Sequence, residues 1–381
     1  MPTGMRTSLT DTTNLPRAIS DAVFMIDWKE APLLNLLGFD ASNERKIKVV
    51  NWPSTKLEWL EDTMSPLAST LASNVNNGTT TIPVATGTGV YFRQGDIILC
   101  ESEQMLVTSV SSDNLTVAAR GYGGTTAASH NTPAAVTIVT RAMPEGNDVV
   151  TGYSTTVTAP YNYVQILSQG VKVSKTDQAL ARYGIDDEMD YQVAKLFANG
   201  GQAGILAQLL AKTFYYGLRV QRSASAYGSM GGFKTFVTTN TSALGGAALQ
   251  RSDIHAAIRK VRDAGGMVSQ IITGSWGIEK VTAMYEGAIT MDQDATRGES
   301  KNTRILTPHG EVEVVFDWMC PAGEMYLIDR NKMGWLPLRP FKQTNISEQG
   351  DYFVTDIVGE FTFFLANEKS HALITGFSTT S

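Results

Sequence analysis

The chain has 381 residues, of which 43% are hydrophobic and 18% are charged, and its formal net charge is −6. The length exceeds the roughly 250–300 residues that one hydrophobic core supports, so two or more subdomains are expected. The acidic balance, without clustered Lys and Arg, argues against a protein that grips nucleic acid. A charged fraction below the usual value of about 25% is typical of a surface partly buried against other subunits or of a Ser/Thr-rich β-protein.

The sequence carries no targeting or membrane signal. Its first residues, MPTGMRTSLTDTTNLPRA, lack the apolar stretch of a signal peptide, and no run of eighteen apolar residues follows. We therefore expect neither signal-peptide secretion nor membrane spanning. Cys100 and Cys320 lie far apart in the sequence and are predicted to be buried reduced thiols.

The N-terminal part is predicted to be a polar arm followed by short helices. Residues 1–15 are rich in Thr and Asn and show no periodicity. Residues 18–37 carry short apolar clusters broken by Pro32, typical of brief helices docked on a neighbour or on the body of the chain. Residues 46–62 are typical of a strand.

Residues 66–141 differ sharply in composition from their surroundings and are rich in Thr, Val, Gly and Ala. Short strands are predicted at 79–84, 97–100, 105–110, 115–118 and 136–140, with turn residues between them. This spacing indicates an inserted small all-β barrel or sandwich. The polar strands before and after it are predicted to pair as a long hairpin, which is marginal alone and so needs a partner surface.

A single long helix is predicted over residues 186–222. Met189, Val193, Leu206 and Phe214 follow the three-and-four spacing of one helix face. At about 1.5 Å per residue the helix would measure roughly 50 Å. Gly200 and Gly201 interrupt it at a cost of about 1 kcal/mol each relative to Ala, so we predict a bend at Gly200-Gly201.

The C-terminal half is predicted to mix helices and strands. Two amphipathic helices, SDIHAAIRKVRDAGG at 252–266 and SWGIEKVTAMYEG at 275–287, flank a buried-type strand at 267–273. The chain should close with a hairpin formed by strands 352–365 and 371–377, which turns at Asn367-Glu368.

No motif specifies an enzyme. The four histidines, His130, His255, His309 and His371, have no second ligand type at metal spacing. The glycine-rich stretches lack the features of a phosphate-binding loop, and no GxSxG elbow occurs. We predict no catalytic, metal-binding or cofactor-binding residues and no cofactor.

The order of elements, an arm, a long hairpin, a long helix, a mixed lobe and a terminal hairpin, resembles the major capsid proteins of tailed bacteriophages. These share the Johnson fold, also named after phage Hong Kong ninety-seven. The similarity is carried in the same order by LEWLEDTM at 57–64, YNYVQILSQGVKVSKTDQAL at 161–180, DDEMDYQVAK at 186–195, SMGGF at 229–233, LPLRPFKQTNISEQGD at 336–351 and IVGEFTFFLANEKSHALITGF at 357–377. The β-module is similar to small β-domains of phage virion proteins through GDII at 95–98, EQMLVTSV at 103–110 and GTTAASH at 124–130. Its insertion departs from the plain family pattern.

The resemblance implies an α+β fold of the Johnson type with five parts. These are an N-terminal arm (1–50), an E-loop hairpin (51–65 and 142–183), the inserted β-domain (66–141), a P-domain with a long spine helix (184–245 and 336–381) and an A-domain (246–335). The polar and aromatic residues expected at subunit contacts are Glu58, Trp59, Tyr161, Asn162, Tyr163, Gln165, Ile166, Arg339 and Glu360.

The resemblance further implies a non-enzymatic virion protein, assembled in the host bacterial cytoplasm, whose hexamers and pentamers form an icosahedral head. The head would enclose double-stranded DNA without sequence-specific binding and without a membrane. Its partners would be further copies of itself, a portal protein, a separate scaffolding protein and cement or decoration proteins. The alternatives are an encapsulin-like compartment shell, a β-rich tail or receptor-binding protein, and an enzyme of unknown type. No residue set matches the Lys–Asn cross-links of some relatives, so we predict non-covalent cohesion.

Overall fold

The computed structural model describes residues 30–39, 54–146, 156–180, 183–198, 202–285, 304–346 and 350–380. The chain forms two compact units, which we call unit 1 (Met1–Trp59 with Ala159–Ser381) and unit 2 (Leu60–Thr158). Unit 2 is therefore inserted into the sequence of unit 1. Each unit has its own hydrophobic core.

Unit 2 is a six-stranded antiparallel barrel. Its strands are β2 (Ala68–Thr70), β3 (Thr81–Pro83), β4 (Asp96–Cys100), β5 (Glu103–Ser111), β6 (Asn114–Val117) and β7 (Ala135–Arg141), in the order β2-β7-β4-β5-β6-β3. Ala85 N–H donates to Thr70 O at 2.9 Å and Ala72 N–H donates to Pro83 O at 3.0 Å, so β3 closes onto β2. Closure leaves the short sheet without a free long edge, which protects it from edge-to-edge pairing.

A buried carboxylate organises the polar centre of unit 2. Glu103 is fully buried and accepts bonds from Arg120 Nε at 2.8 Å and Nη2 at 2.7 Å, from Gly121 N–H and from Ala128 N–H. His130 Nε2 lies 2.9 Å from the same carboxylate. Burial by itself would raise the pKa of Glu103, but the Arg120 guanidinium and the other donors together lower it to about 2. The cluster is a satisfied ion pair that fixes the loops at 120–130 to β5.

The larger sheet of unit 1 is mixed and packs against two helices. Its strands are β10 (Thr241–Ala243), β11 (Gln270–Thr273), β12 (Arg304–Thr307), β13 (Gly310–Phe316), β14 (Glu324–Ile328) and β17 (Ala372–Thr375), in the order β10-β17-β14-β11-β13-β12. Helix α6 (Arg251–Asp263) packs on β17, and α7 (Ser275–Met284) packs on β11 and β13. Every residue of the inner strand β11 is buried, as expected for the buried-type strand predicted at 267–273.

The second sheet of unit 1 carries the longest strands. It consists of β9 (Gln165–Ser174), β15 (Met333–Ile346) and β16 (Tyr352–Leu365) in the order β15-β16-β9. A two-stranded ribbon precedes it, formed by β1 (Lys56–Glu58) and β8 (Tyr161–Tyr163). The predicted long hairpin is therefore wrong beyond 163, because β9 pairs along its length with β16 and not with the strand that enters unit 2.

The predicted closing hairpin is also wrong. Strand β16 pairs with β15 and β9, whereas β17 lies in the other sheet between β10 and β14. The chain changes sheets at Asn367, whose left-handed backbone (φ 54°) starts a short 3-10 turn. His371 then anchors the crossing: it is fully buried, its Nδ1 accepts from Asp329 N–H at 3.2 Å, and its Nε2 lies 3.3 Å from Ala366 O. Burial lowers the pKa of His371 to about 3, so the ring is neutral.

The single helix predicted over 186–222 is two helices, α3 (Glu188–Leu196) and α4 (Ile205–Tyr216). Between them Phe197 is extended, Ala198 and Ala203 form a β-bridge, and Gly204 has φ 101°. A Cβ on Gly204 would lie 2.6 Å from Leu196 O, so the chain folds back too closely for any other residue. The bend predicted at Gly200 and Gly201 lies outside the described residues.

Helix α4 is the centre of the unit 1 core, and the N-terminal segment contributes to that core. Helix α1 (Pro32–Leu37) buries Leu33, Leu34 and Leu37 in the same cluster as Phe214 of α4. The short helices α2 (Lys175–Ala179) and α5 (Phe233–Phe236) complete the unit. Of the two placements expected for the short N-terminal helices, α1 therefore takes the body of its own chain.

Candidate assembly surface

The nine predicted contact residues come together at one place, where ribbon β1/β8 meets β9, β16 and the loop 228–233; we call this place the junction. Asn162 is its centre and is fully buried. Its Nδ2 donates to Gly231 O at 3.0 Å and to Phe363 O at 2.6 Å, and its Oδ1 accepts from Gly231 N–H at 2.8 Å and Tyr163 N–H at 2.9 Å. One side chain thus joins the ribbon, the loop and the central strand of the second sheet.

Two glycines let the loop approach the end of α4. Gly232 N–H donates to Gly217 O at 3.0 Å. A Cβ on Gly232 would lie 2.2 Å from Thr213 O, and a Cβ on Gly217 would lie 2.7 Å from Gly232 N and from Met230 O. Only glycine fits at both positions, which is the physical reason for the SMGGF sequence at 229–233 and for the end of α4 at Tyr216.

The outer side of the ribbon is aromatic and cationic. The Arg219 guanidinium carbon lies 4.3 Å from the centre of the Tyr161 ring, and Lys56 Nζ lies 4.1 Å from it. Arg219 Nη1 also donates to Tyr161 O at 3.0 Å. Tyr163 donates through its hydroxyl to Gln221 Oε1 at 3.2 Å. These half-exposed contacts stiffen a ribbon that would be marginal alone.

The remaining predicted residues lie on the second sheet beside the ribbon. Ile166 is opposite Glu360 in the β9–β16 register, and Arg339 is opposite Glu360 on the other side. Arg339 Nη2 donates to Glu360 Oε1 at 2.7 Å. Gln165 Oε1 accepts from Met230 N–H at 3.2 Å, which ties β9 to the loop.

Three of the nine predicted contact residues are buried within the chain: Trp59, Asn162 and Glu360. The Asn162 side chain makes its four hydrogen bonds within the chain. Trp59 is buried against Leu57, Leu336 and Phe364. The centre of its ring lies 5.6 Å from the centre of the Phe236 ring. Neither Asn162 nor Trp59 has surface left to offer a neighbour, so both stabilise the junction itself. Glu58, Arg339 and Ile166 are exposed, and Tyr161, Tyr163 and Gln165 are half-buried.

Sequence reasoning missed three partners that make the junction. Arg219 stacks on Tyr161, Gly217 admits the loop, and Thr362 Oγ1 donates to Tyr163 O at 3.0 Å. All three lie far from the ribbon in sequence. The only sequence signal for these contacts was the two adjacent glycines of SMGGF. Adjacent glycines indicate that another backbone segment comes close, but they do not indicate which segment.

Large apolar side chains remain exposed on unit 1 around the junction. Tyr227 is 99% exposed at the tip of the loop after α4, and Leu218 is 72% exposed beside Arg219. Both side chains are accessible at the surface of unit 1.

The described residues do not support a metal site. Within them, no group of three or more His, Cys, Asp or Glu could hold a metal ion. The thiols of Cys100 and Cys320 are free and buried, as predicted. Burial raises the pKa of Cys100 to about 11 and raises that of Cys320 further, so neither is a reactive thiolate. No helix in the described ranges has the length and apolar character needed to cross a membrane.

Comparison with solved structures places the chain among phage capsid proteins in fold. A chain of the cyanophage A-1(L) capsid superposes with a TM-score of 0.53 at 15% identity, covering 98% of this chain and 100% of that chain. A structure from Microbacterium phage Oxtober96 gives 0.50 at 13% identity, covering 97% and 98%. The SrpI encapsulin of Synechococcus elongatus gives only 0.42 at 9% identity over 61% of this chain and 79% of that chain, which carries no weight. No curated protein sequence matches.

The predicted Johnson-type α+β capsid fold is confirmed by these superpositions. The sequence matches the family model described as SU10 major capsid protein over residues 1–378, which also decides between a capsid protein and the tail, compartment and enzyme alternatives. The chain belongs to the SU10 major capsid protein family and is a structural protein of a phage capsid, not an enzyme.

Proposed function

We propose that copies of this chain form hexamers and pentamers that close into an icosahedral head around double-stranded DNA. Self-association into a shell follows from the family, and the junction supplies the geometry for it. The carrying observation is that Asn162 holds the junction from inside, while the aromatic and cationic side chains on its outer side and the nearby Leu218 and Tyr227 remain accessible. Heterologous contacts of such a surface close into rings or extend, depending on the rotation between subunits.

Within this proposal the parts of the chain have separate tasks. The ribbon and the segments that lead to unit 2 act as the E-loop, within the predicted bounds 51–65 and 142–183 but only as far as Tyr163, because β9 pairs with β16. Residues 184–245 and 336–381 form the P-domain. Residues 246–335 form the A-domain, 1–50 the N-terminal arm and 66–141 the inserted domain. Glu58, Tyr161, Tyr163, Gln165, Ile166, Arg339 and Glu360 remain the proposed contact residues. Six of them are exposed or half-buried, which supports this assignment. Glu360 is buried and acts through its bond to the exposed Arg339.

The inserted unit 2 faces away from the packaged DNA. Residues 60–158 contain eight acidic residues, three arginines and no lysine, a net charge of −5 out of the chain's −6. Two of the arginines are committed to carboxylates, Arg120 to Glu103 and Arg141 to Asp96. A domain of this charge is repelled by phosphates within about 10 Å, the screening length at moderate salt. The outer face of the shell avoids that repulsion.

Electron microscopy of the expressed chain tests shell formation. Closed shells or capsomers are expected, and a discrete monomer or trimer under all assembly conditions would contradict the proposal. The exterior position of unit 2 is tested by inserting an epitope between Gly123 and Gly124, an exposed turn where added atoms meet nothing within 4 Å. Antibody should bind intact DNA-filled particles, and binding only after disruption would place unit 2 inside.

The remaining partners are proposed from the resemblance to tailed-phage capsid proteins. A portal protein and a separate scaffolding protein are expected for a head filled with DNA, and cement or decoration proteins are further candidates. Cohesion is proposed to be non-covalent. Denaturing gels of purified shells should show one band near 41.2 kDa, and a ladder of multiples would reveal covalent cross-links.

A further inference from the structure

Helix α4 has an apolar stripe that the rest of the described chain leaves uncovered. Its exposed positions are 205, 209, 212 and 216, which recur at the spacing of one helix face. Three of them are apolar: Ile205 is 46% exposed, Leu209 43% and Tyr216 61%. The opposite face already fills the core with Leu206, Leu210 and Phe214. A helix that is apolar on all sides is normally buried on all sides.

The N-terminal segment of the chain arrives at one end of this stripe. Glu30 forms a β-bridge with Ala203, two residues before α4 begins. Helix α1, which follows directly, packs on α4. The covalent chain therefore brings the residues before Glu30 to the first turn of α4.

The sequence of that segment complements the stripe. Residues 18–28 read AISDAVFMIDW, and Ile19, Val23 and Ile26 recur at the spacing of one helix face. The stripe contains one charged residue, Lys212, and the segment carries Asp21 and Asp27. Opposite charges and matching apolar spacing both favour contact.

The lengths also agree. From Ile205 to Tyr216 the stripe extends about 16 Å, at about 1.5 Å per residue. Eleven residues back from Glu30 reach Ile19, and in helical form they span the same distance. Because the segment ends at the first turn of α4, it would run antiparallel to the helix.

We propose that residues 18–28 of the chain pack antiparallel along the exposed stripe Ile205, Leu209 and Tyr216 of their own α4. The docked segment completes the core of unit 1 on the side that α1 leaves open. The arm is then anchored on its own subunit up to Ala18, and only the polar residues before it are left to reach a neighbour. This inference concerns the single folded chain and does not depend on the proposed shell.

A cysteine pair tests the contact directly. Val23 and Leu209 are each six or seven residues from the Glu30–Ala203 bridge, so they should face one another. In the full-length Val23→Cys/Leu209→Cys variant, mild oxidation of the unassembled chain should give a disulfide within one chain, detected as a linked peptide without a dimer band. The matched control is Val23→Cys/Leu306→Cys, since Leu306 is equally accessible at 62% exposure but lies on edge strand β12; it should cross-link at least tenfold less.

Hydroxyl-radical footprinting gives an independent measurement on the unaltered chain. Tyr216 should be oxidised several-fold more slowly than Tyr227, and Ile26→Asp should raise the rate at Tyr216 while leaving Tyr227 unchanged. Disulfides found only between chains would show that a neighbour's segment occupies the stripe and would overturn the proposal. Equal oxidation of the two tyrosines, together with no disulfide above control, would overturn it as well.

Discussion

Replacing Asn162 by Ala tests whether one buried amide holds the junction together. The substitution removes four hydrogen bonds and leaves the Gly231 N–H, the Gly231 C=O and the Phe363 C=O without their side-chain partner. Each buried polar group left unpaired costs about 1–3 kcal/mol, and the effects of neighbours overlap. We expect the free energy of unfolding to fall by about 3–5 kcal/mol.

The assay is urea unfolding of the unassembled chain, combined with hydrogen exchange of the Gly231 amide. Exchange at Gly231 should accelerate by at least tenfold in the Asn162→Ala variant. The matched control is Tyr163→Phe, which removes one half-exposed bond to Gln221 at 3.2 Å and should cost less than about 1 kcal/mol. A loss below about 1 kcal/mol for Asn162→Ala, with Gly231 still protected, would refute the reasoning.

Three further predictions concern other buried contacts. The pKa of His371 is 6.5 in the unfolded chain and about 3 in the folded chain, so the unfolded chain takes up the proton first as the pH falls. The free energy of unfolding should therefore be highest above pH 6.5 and fall by up to about 5 kcal/mol as the pH drops toward 3. Unfolding titrations of His371→Gln should show a flatter pH dependence. Glu103→Gln breaks the buried pair with Arg120 and should cost about 3–5 kcal/mol by urea unfolding of unit 2, with loss of Ala128 amide protection, and a change under 1 kcal/mol would contradict it. Gly232→Ala puts a Cβ 2.2 Å from Thr213 O and should lower the free energy of unfolding by about 2–4 kcal/mol in urea unfolding. The control Gly78→Ala, whose added Cβ would have its nearest neighbour 3.7 Å away, should leave the free energy of unfolding nearly unchanged.

The assignment of this chain to a capsid fold rested on pattern and order along the sequence. Composition separated unit 2 from its surroundings, because Thr, Val and Gly at turn-like spacing favour short strands over helices. The buried-type run at 267–273 located β11, and the three-and-four spacing located α6 and α7. These signals are local, so one chain suffices to read them.

The predictions from sequence were wrong where strand pairing or a close approach depends on segments far apart in the chain. Strand β9 has the polar alternation of a hairpin arm, yet it pairs with β16, because β16 offers a fourteen-residue edge and the incoming strand only three residues. The spacing over 186–222 continues through a region where the chain folds back, because periodicity does not record the close approach of Gly204 to Leu196. Which strands pair, and where two backbone segments come close, depends on the segment that packs opposite, and a local sequence pattern does not record that segment.

The sequence by itself, through its resemblance to tailed-phage capsid proteins, determined that this protein is an α+β capsid subunit, and its composition marked the inserted all-β unit. The tertiary structure alone decided which residues hold the subunit and which face outward. Trp59 and Asn162 are conspicuous in the sequence as aromatic and polar residues of a ribbon, but both are buried, since Leu336 and Phe364 cover one and Gly231 and Phe363 satisfy the other. Burial is a property of the neighbours, and Phe363, for example, lies 201 residues from Asn162 in the chain.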